Sequence, residues 1–338
     1  MTGDAPDQTA LSSLASTVAE MSALVADEIA DHVVRTPLVH YAAASELCGA
    51  RLLVKSEHQQ RTGSFKVRGA LAKILSLSPE DRTAGVVTAS SGNHGLGVAQ
   101  ALQSLGGAGI ICVPERASTA KVAALRRYDD VEVRFLGREA GETEGLARTL
   151  ATELGMTYVS PYNDLDVIAG QGTVGREIVE QLGSDPVDAV VVAVGGGGLI
   201  SGVAAAIKSA FPETWVIGAS PANDAAMAAS VKAERVVDVD AQPTISDGTA
   251  GGIESGAVTL PLCRELVDEW MLVTEGQIHE ALQLVIDTEH QLVEGAAATA
   301  IAAALQAGPL RPGQTIAVVS CGANISTSTL RVALGPAA

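Results

Sequence analysis

The sequence is poor in aromatic residues, in basic charge and in cysteine. Three Phe, two Trp and four Tyr amount to 3% of 338 residues, which excludes a core built on large rings and requires a closely packed aliphatic one. Lys and Arg number 22 against 39 Asp and Glu, a formal net charge of −17. That balance argues against nucleic acid as a partner, because phosphate contacts need clustered cations. Cys48, Cys112, Cys263 and Cys321 lie far apart, with no C-x-x-C pair and no Cys/His cluster at metal-ligand spacing. A disulfide framework is therefore not expected. The first 34 residues contain no Lys or Arg, so the basic segment of a secretory leader is missing. The longest uncharged run, between Asp188 and Lys208, is split by Gly195–Gly198, which suits a strand, a turn and a helix start better than a membrane span. The expectation is a cytoplasmic protein with reduced thiols and no membrane association.

What is present is aliphatic and rhythmic. Hydrophobic residues make up 47% of the chain, and at roughly 150 residues per domain its length suggests about two domains. Apolar runs of strand length at 51–55, 85–89, 109–113, 132–136, 189–194, 215–219 and 315–320 alternate with helical patterns. The helical stretches include 17–34, 95–105, 118–128, 142–154 and 202–210, with fraying before about Ser16. This βα rhythm predicts an α/β fold of two open, mainly parallel, twisted sheets flanked by helices. The strands between 81 and 164 form their own group. A small domain at 81–164 inserted into a discontinuous large one, 1–80 and 165–338, follows, with the ligand in the cleft between them.

Four segments carry candidate chemistry. In Arg61-Thr62-Gly63-Ser64-Phe65-Lys66-Val67-Arg68-Gly69-Ala70 a turn leads into a helix, with Ser64 as N-cap and Lys66 in the first helical turn. The positive end of a helix disfavours another cation, and a lowered amine pKa is what a Schiff-base lysine needs; taken alone, the decapeptide fits a solvated lysine equally well. Ser90, Ser91, Gly92, Asn93 and His94 lie at a strand-to-helix turn, where exposed backbone N–H groups receive an anion such as a carboxylate, or where such residues merely cap a helix. Gly195, Gly196, Gly197 and Gly198 follow an apolar strand and open a helix, a phosphate cradle free of Cβ atoms. Ile200 and Ser201 stand where G-x-G-x-x-G needs its third glycine, and Ser220 where a ribose-binding acid belongs, so a single phosphate is favoured over a dinucleotide. Cys321 ends the last strand, where it either donates into a cleft or serves as a small buried hydrophobe.

Taken in order, from Arg35-Thr36-Pro37-Leu38 to Cys321-Gly322-Ala323-Asn324, these segments resemble the serine/threonine dehydratase family of pyridoxal-phosphate enzymes. That is fold type II, tryptophan synthase beta-like, in the ammonia-lyase and serine racemase branch. The resemblance implies pyridoxal 5'-phosphate as cofactor, held by Lys66 in Schiff-base linkage, by Phe65 on the ring face and by Gly195–Gly198 at the phosphate. It places Ser90, Ser91, Gly92, Asn93 and His94 around the substrate carboxylate and ring hydroxyl, with Asn93 meeting the hydroxyl, and Cys321 at the ring nitrogen. The implied reaction eliminates water from a 3-hydroxy amino acid such as L-threonine or L-serine, giving a 2-oxo acid and ammonia, with Lys66 taking the Cα proton. A thiol at the ring nitrogen, rather than a carboxylate, favours prompt loss of the β-substituent. Racemisation is the alternative, with Ser91 as a second base. A homodimer is expected from the family alone.

The chain also departs from the family. Racemase-like members carry a Glu and an Asp for a divalent cation where this chain has Ser220 and Ala226, with Asp224 between them. No metal is expected there. Glu294 matches a family carboxylate near the cofactor, or is a solvated helix acid. Thr249-Ala250-Gly251-Gly252-Ile253-Glu254 differs from the commonest threonine dehydratases, which leaves open a bulkier or more polar 3-hydroxy amino acid. The chain ends soon after Asn324, so feedback by isoleucine is not expected.

Overall fold

The computed structural model describes residues 12–308 and 313–335. The chain begins with α1 (Ser13–Ile29), a 3-10 turn (Ala30–His32), β1 (Leu38–His40), α2 (Ala42–Cys48) and β2 (Arg51–Lys55). Next come α3 (Lys66–Ser76) and α4 (Pro79–Ala84). A βα series follows: β3 (Val86–Ala89), α5 (Asn93–Leu105), β4 (Gly109–Val113), α6 (Thr119–Leu125), β5 (Val131–Phe135), α7 (Ala140–Leu154) and β6 (Thr157–Tyr158). A second series holds α8 (Leu165–Leu182), β7 (Ala189–Ala193), α9 (Gly198–Ala210), β8 (Trp215–Pro221), α10 (Ala226–Ala233), α11 (Thr259–Leu266) and β9 (Glu269–Val273). The chain then runs through α12 (Glu275–Leu284), a π turn (Val285–Glu289), α13 (Gly295–Ala307), β10 (Thr315–Val319) and α14 (Thr327–Ala333).

Two sheets result, in the orders β1-β2-β10-β7-β8-β9 and β5-β4-β3-β6. Among the strands of the described residues, only the β1–β2 pair is antiparallel. β10, the last strand among the described residues, sits in the middle of the larger sheet, with Val318 paired to Val54 on one side and Val191 on the other. Every residue of β7 is buried, as a strand covered by helices on both faces must be.

The scarcity of aromatic residues has a direct packing counterpart. A Cβ at Gly202 of α9 would lie 2.3 Å from Ile168 O of α8, and one at Gly172 of α8 would lie 2.1 Å from Ser22 Oγ of α1. These helices meet backbone to backbone, and Ser22 Oγ donates to Ala169 O across the contact at 2.8 Å. Interiors packed to crystal-like density at this spacing have no room for rings.

Two expectations need correction. α1 starts at Ser13, where Ser12 Oγ accepts from Ala15 N at 3.3 Å, and its last helical residue is Ile29 rather than Val34. Order therefore begins before Ser16; the part of the fraying expectation that concerns residues 1–11 lies outside the described residues. β1, β6 and β9 were not anticipated, since runs of two or three residues, or one as mixed as Glu-Trp-Met-Leu-Val, carry too little alternation to read. No helix among the described residues is long and apolar enough to cross a membrane.

Candidate active site

Lys66 is the first residue of α3, but the helix does not start as the sequence suggests. The N-cap is Phe65, without a side-chain cap bond. Ser64 instead pairs with Gly322 in an isolated bridge, and Phe65 N donates to Cys321 O at 3.1 Å. The Thr-Gly-Ser turn is thus fastened to the end of β10, and Ser64 Oγ is buried without a partner. α5 presses on the same point, since a Cβ at Gly97 would come within 2.9 Å of the Lys66 carbonyl carbon. Lys66 Nζ donates to Pro161 O at 2.7 Å and lies 5.2 Å from the Phe65 ring centroid. Burial pulls its amine down to about 8, against a smaller opposing pull from Cys321 and Glu294.

Two residues further on, Arg68 anchors the helix through a buried charge network that no local spacing predicts. Its guanidinium donates to both Glu57 oxygens at 2.8 Å and to Glu177 at 2.7 Å. Lys55, fully buried on β2, donates to Glu177 and to Thr36 O. Thr36 Oγ1 in turn donates to Glu57 at 2.5 Å. Burial resists each charge, but the Arg68 and Glu57 partners prevail, holding Glu57 below and Arg68 above its ordinary value.

The turn between β3 and α5 places Gly92 as N-cap, with Ser90 Oγ accepting from Gly92 N at 3.2 Å. Asn93 Nδ2 donates to both oxygens of Glu294 at 2.9 and 3.0 Å, and Asn93 Oδ1 accepts from Asn324 Nδ2 at 2.7 Å. Asn324 N also donates to Glu294, at 3.1 Å. Glu294 is 2% exposed, so the solvated alternative fails. Burial pushes its carboxyl up to about 7 despite the Asn93 hydrogen bond. His94 lies 3.1 Å from Val159 O through Nε2, and a carbonyl only accepts, so the proton sits on Nε2. Burial, reinforced by Lys66, pulls this ring down to about 3 and keeps it neutral.

The glycine turn follows β7. Gly197 has φ +85 and Gly198 opens α9; a Cβ at Gly196 would strike the Tyr162 ring at 2.3 Å, and one at Gly195 would meet Thr249 O at 2.8 Å. Four residues without side chains are therefore a steric requirement here as well as an open cradle. Cys321 is 3% exposed, and its Sγ lies 4.0 Å from Glu294 Oε1. Burial, then Glu294, pushes the thiol well above its ordinary value, which keeps it neutral.

One cavity of about 860 Å³ is lined by Phe65, Lys66, Ser90, Ser91, Gly92, Asn93, His94, Gly195–Gly198 and Cys321. The structure thus brings these candidates to one cavity, together with Glu294, whose place near the cofactor the resemblance implied, while Ser64, Ser220 and Asp224 lie outside its lining. It adds Asn324, Tyr162 and Arg148, which meet the others only through the fold. Another cavity, of about 680 Å³ near Arg35 and Arg51, holds none of them.

Residues 29–322 match the family model described as pyridoxal-phosphate dependent enzyme. The chain belongs to that family. This pyridoxal-phosphate-dependent enzyme is 41% identical over 296 residues to an L-threonine ammonia-lyase of Thermotoga maritima, covering 88% of this chain and 73% of that one. It is 38% identical over 304 residues to a catabolic L-threonine dehydratase of Escherichia coli K12, covering 89% and 91%. Among solved structures, the processed form of threonine deaminase isoform 2 from Solanum lycopersicum matches with a TM-score of 0.90 at 33% identity, covering 96% of this chain and 88% of that one. Maize serine racemase matches with a TM-score of 0.87 at 30% identity, over 94% and 96%. The enzyme is a lyase of fold type II with pyridoxal 5'-phosphate as its cofactor.

The residues present fit that cofactor. A desolvated amine, a glycine turn that any Cβ would fill, a neutral thiol and an aromatic face share one cavity. After β8, Ser220 Oγ donates to Val194 O at 3.1 Å and Asp224 accepts from Gly251 N at 2.8 Å. Among the described residues no group of three or more His, Cys, Asp or Glu could hold a metal ion.

Proposed function

We propose that this lyase removes water from a 3-hydroxy amino acid, L-threonine or L-serine among them, releasing a 2-oxo acid and ammonia. One observation carries the reading: the Lys66 amine, pulled down to about 8 by burial, shares its cavity with the N-terminus of α5 and the glycine turn before α9. Backbone N–H groups of Gly195–Gly198 hold the cofactor phosphate, and those of Ser90–Asn93 hold the substrate carboxylate, each at the positive end of a helix. Asn93, kept in place by Glu294 and Asn324, would hydrogen-bond the bound cofactor's hydroxyl. Phe65 would pack on the ring, and the neutral Cys321 thiol would be the partner of its nitrogen without adding charge. When bound, pyridoxal phosphate supplies an electron sink for charge developing at the substrate Cα. Lys66 removes the Cα proton, which its lowered pKa permits near neutral pH. The names of the relatives support threonine as a substrate.

The test is ammonia release from L-threonine and L-serine by the holoenzyme. Lys66→Ala should abolish release and the visible absorption band of the bound cofactor while leaving the far-UV circular dichroism spectrum unchanged. Normal turnover by the variant would refute the assignment.

Racemisation is the second reading. It rests on Ser91, which lines the same cavity and makes no side-chain hydrogen bond among the described residues; inversion in recovered substrate, lost in Ser91→Ala, would establish it. The four-stranded sheet lies wholly between Val86 and Tyr158, which supports a small domain at 81–164 inserted in the larger one. A homodimer completes the proposal, and light scattering checks it.

A further inference from the structure

Asn93 is gripped by its amide oxygen as well as by its amide nitrogen. Asn324 Nδ2 donates to Asn93 Oδ1 at 2.7 Å and to Thr62 O at 2.8 Å. Thr62 O is a backbone carbonyl and only accepts, so the Asn324 atom that faces it is the nitrogen. An oxygen there would set two acceptors against each other. Both N–H bonds of Asn324 are then spent, and the Asn93 atom they reach is its oxygen. The Asn93 nitrogen is left to face Glu294, which accepts from it at 2.9 and 3.0 Å.

The surroundings hold both ends of this chain in place. Ala323 N donates to Gly63 O at 2.8 Å, which zips the end of β10 to the turn before Lys66 and keeps Asn324 beside Thr62. Asn324 N donates to Glu294 at 3.1 Å, and a Cβ at Gly322 would lie 2.5 Å from Glu294 Oε1. The two oxygens of one carboxyl lie too close together to meet both N–H bonds of an amide, which diverge widely. One N–H of Asn93 therefore serves Glu294, and the second makes no hydrogen bond among the described residues. Asn93 lines the cavity, so what it has left to offer a bound group is an N–H and never an oxygen.

We infer that Asn324 and Glu294 are positioning residues that fix the polarity of Asn93, so that it can only donate to the ring hydroxyl of bound pyridoxal phosphate and holds that oxygen without its proton. The inference rests on the placement of Asn93 at that hydroxyl given above. What it adds is the direction of the bond and the protonation state that follows. An N–H stabilises an ionised oxygen more than a neutral one. The proton then resides on the nitrogen that joins the cofactor to Lys66, where it opens the adjoining carbon to an incoming amine. Turned over, Asn93 would present Oδ1, and the hydroxyl would keep its proton in order to donate.

The two forms differ in colour: the ionised oxygen with a protonated nitrogen absorbs in the visible, the neutral hydroxyl form in the near ultraviolet. Holoenzyme spectra, normalised to the cofactor released in alkali, are compared for the wild type, Asn93→Ala, Asn324→Ala, Glu294→Gln and the double variant of the last two. The wild type should hold mainly the visible form. Each single relay variant leaves one end still fixing Asn93 and should keep most of that form. Glu294→Gln supplies a partner that gives or takes a hydrogen bond, and Asn324→Ala frees the other end. The double variant should therefore raise the ratio of near-ultraviolet to visible form about tenfold or more, the scale of one hydrogen bond to a charged group, and approach Asn93→Ala. That loss exceeds the sum of the two single effects, whereas residues that merely fill space would add and would release cofactor rather than change its form. Asn324→Asp with Glu294→Gln preserves side-chain volume and gives the same comparison where the Ala variant does not fold. A shifted Asn93→Ala beside unshifted double variants overturns the inference. An unshifted Asn93→Ala defeats the placement of Asn93 at the hydroxyl, and the inference with it.

Discussion

At the scale of single residues, burial displaces two side chains from their ordinary pKa values, in opposite directions. Lys66 is pulled to about 8, so the rate at which apoenzyme recaptures pyridoxal phosphate should climb with pH and level off above about 8. A free lysine would still be climbing at 10. Stopped-flow absorbance of the returning cofactor band measures it. Glu294 is displaced the other way, from 4.5 to about 7, so the folded protein holds a proton there that the unfolded chain releases. The stability this contributes is complete below about 4.5 and is lost as pH rises through about 7, with an upper size on the order of 3 kcal/mol. Urea midpoints of the wild type and Glu294→Gln between pH 5 and pH 8 should therefore converge or cross as the wild-type carboxylate ionises. Parallel curves would show that Glu294 is already ionised at pH 5.

At the scale of elements, α3 is the part that must not move. It is squeezed between α5 and α8, and Arg68 ties it through Glu57 to the 3-10 turn (Glu57–Gln59) after β2 and through Glu177 to α8. Removing one partner of a buried ion network strands the others, so Arg68→Ala should lower stability by about 3–5 kcal/mol, read as a drop in urea midpoint. Arg68→Lys should recover only part of it, because an ammonium cannot make the paired bonds to Glu57. The sequence made the strand-turn-helix units legible wherever apolar runs were long and glycines marked the turn, as at β7 and Gly195–Gly198. It misled at Ser64, where a residue typical of helix caps is used for a bridge to Gly322. It was silent on Arg68 with Glu57 and Glu177, and on Asn93 with Glu294 and Asn324. Those partners meet only after the two sheets and their helices are assembled, and no local spacing encodes a contact across 201 positions.

At the scale of the whole molecule, an excess of 17 negative charges sits around a site that binds anionic groups. On the proposed function, backbone N–H groups at helix starts hold these anionic groups, so surface and site need not share a sign. The self-repulsion remains. Raising NaCl from about 10 mM to about 150 mM, which shortens the screening length from roughly 30 Å toward 8 Å, should raise Tm, and calorimetry checks it. A falling Tm would mean that ion pairs such as Lys121–Asp247 outweigh the net charge.

The position of β10 also sets a timetable. Its neighbours β2 and β7 are separated by more than a hundred residues, and both stay edge strands facing an empty seat until the last strand emerges from the ribosome. Closure of that gap is the step that delivers Cys321 and Asn324 to the cavity and fastens the turn before Lys66. From the synthesis of β7 until β10 emerges, a nascent chain thus carries two sticky edges and an unfinished site.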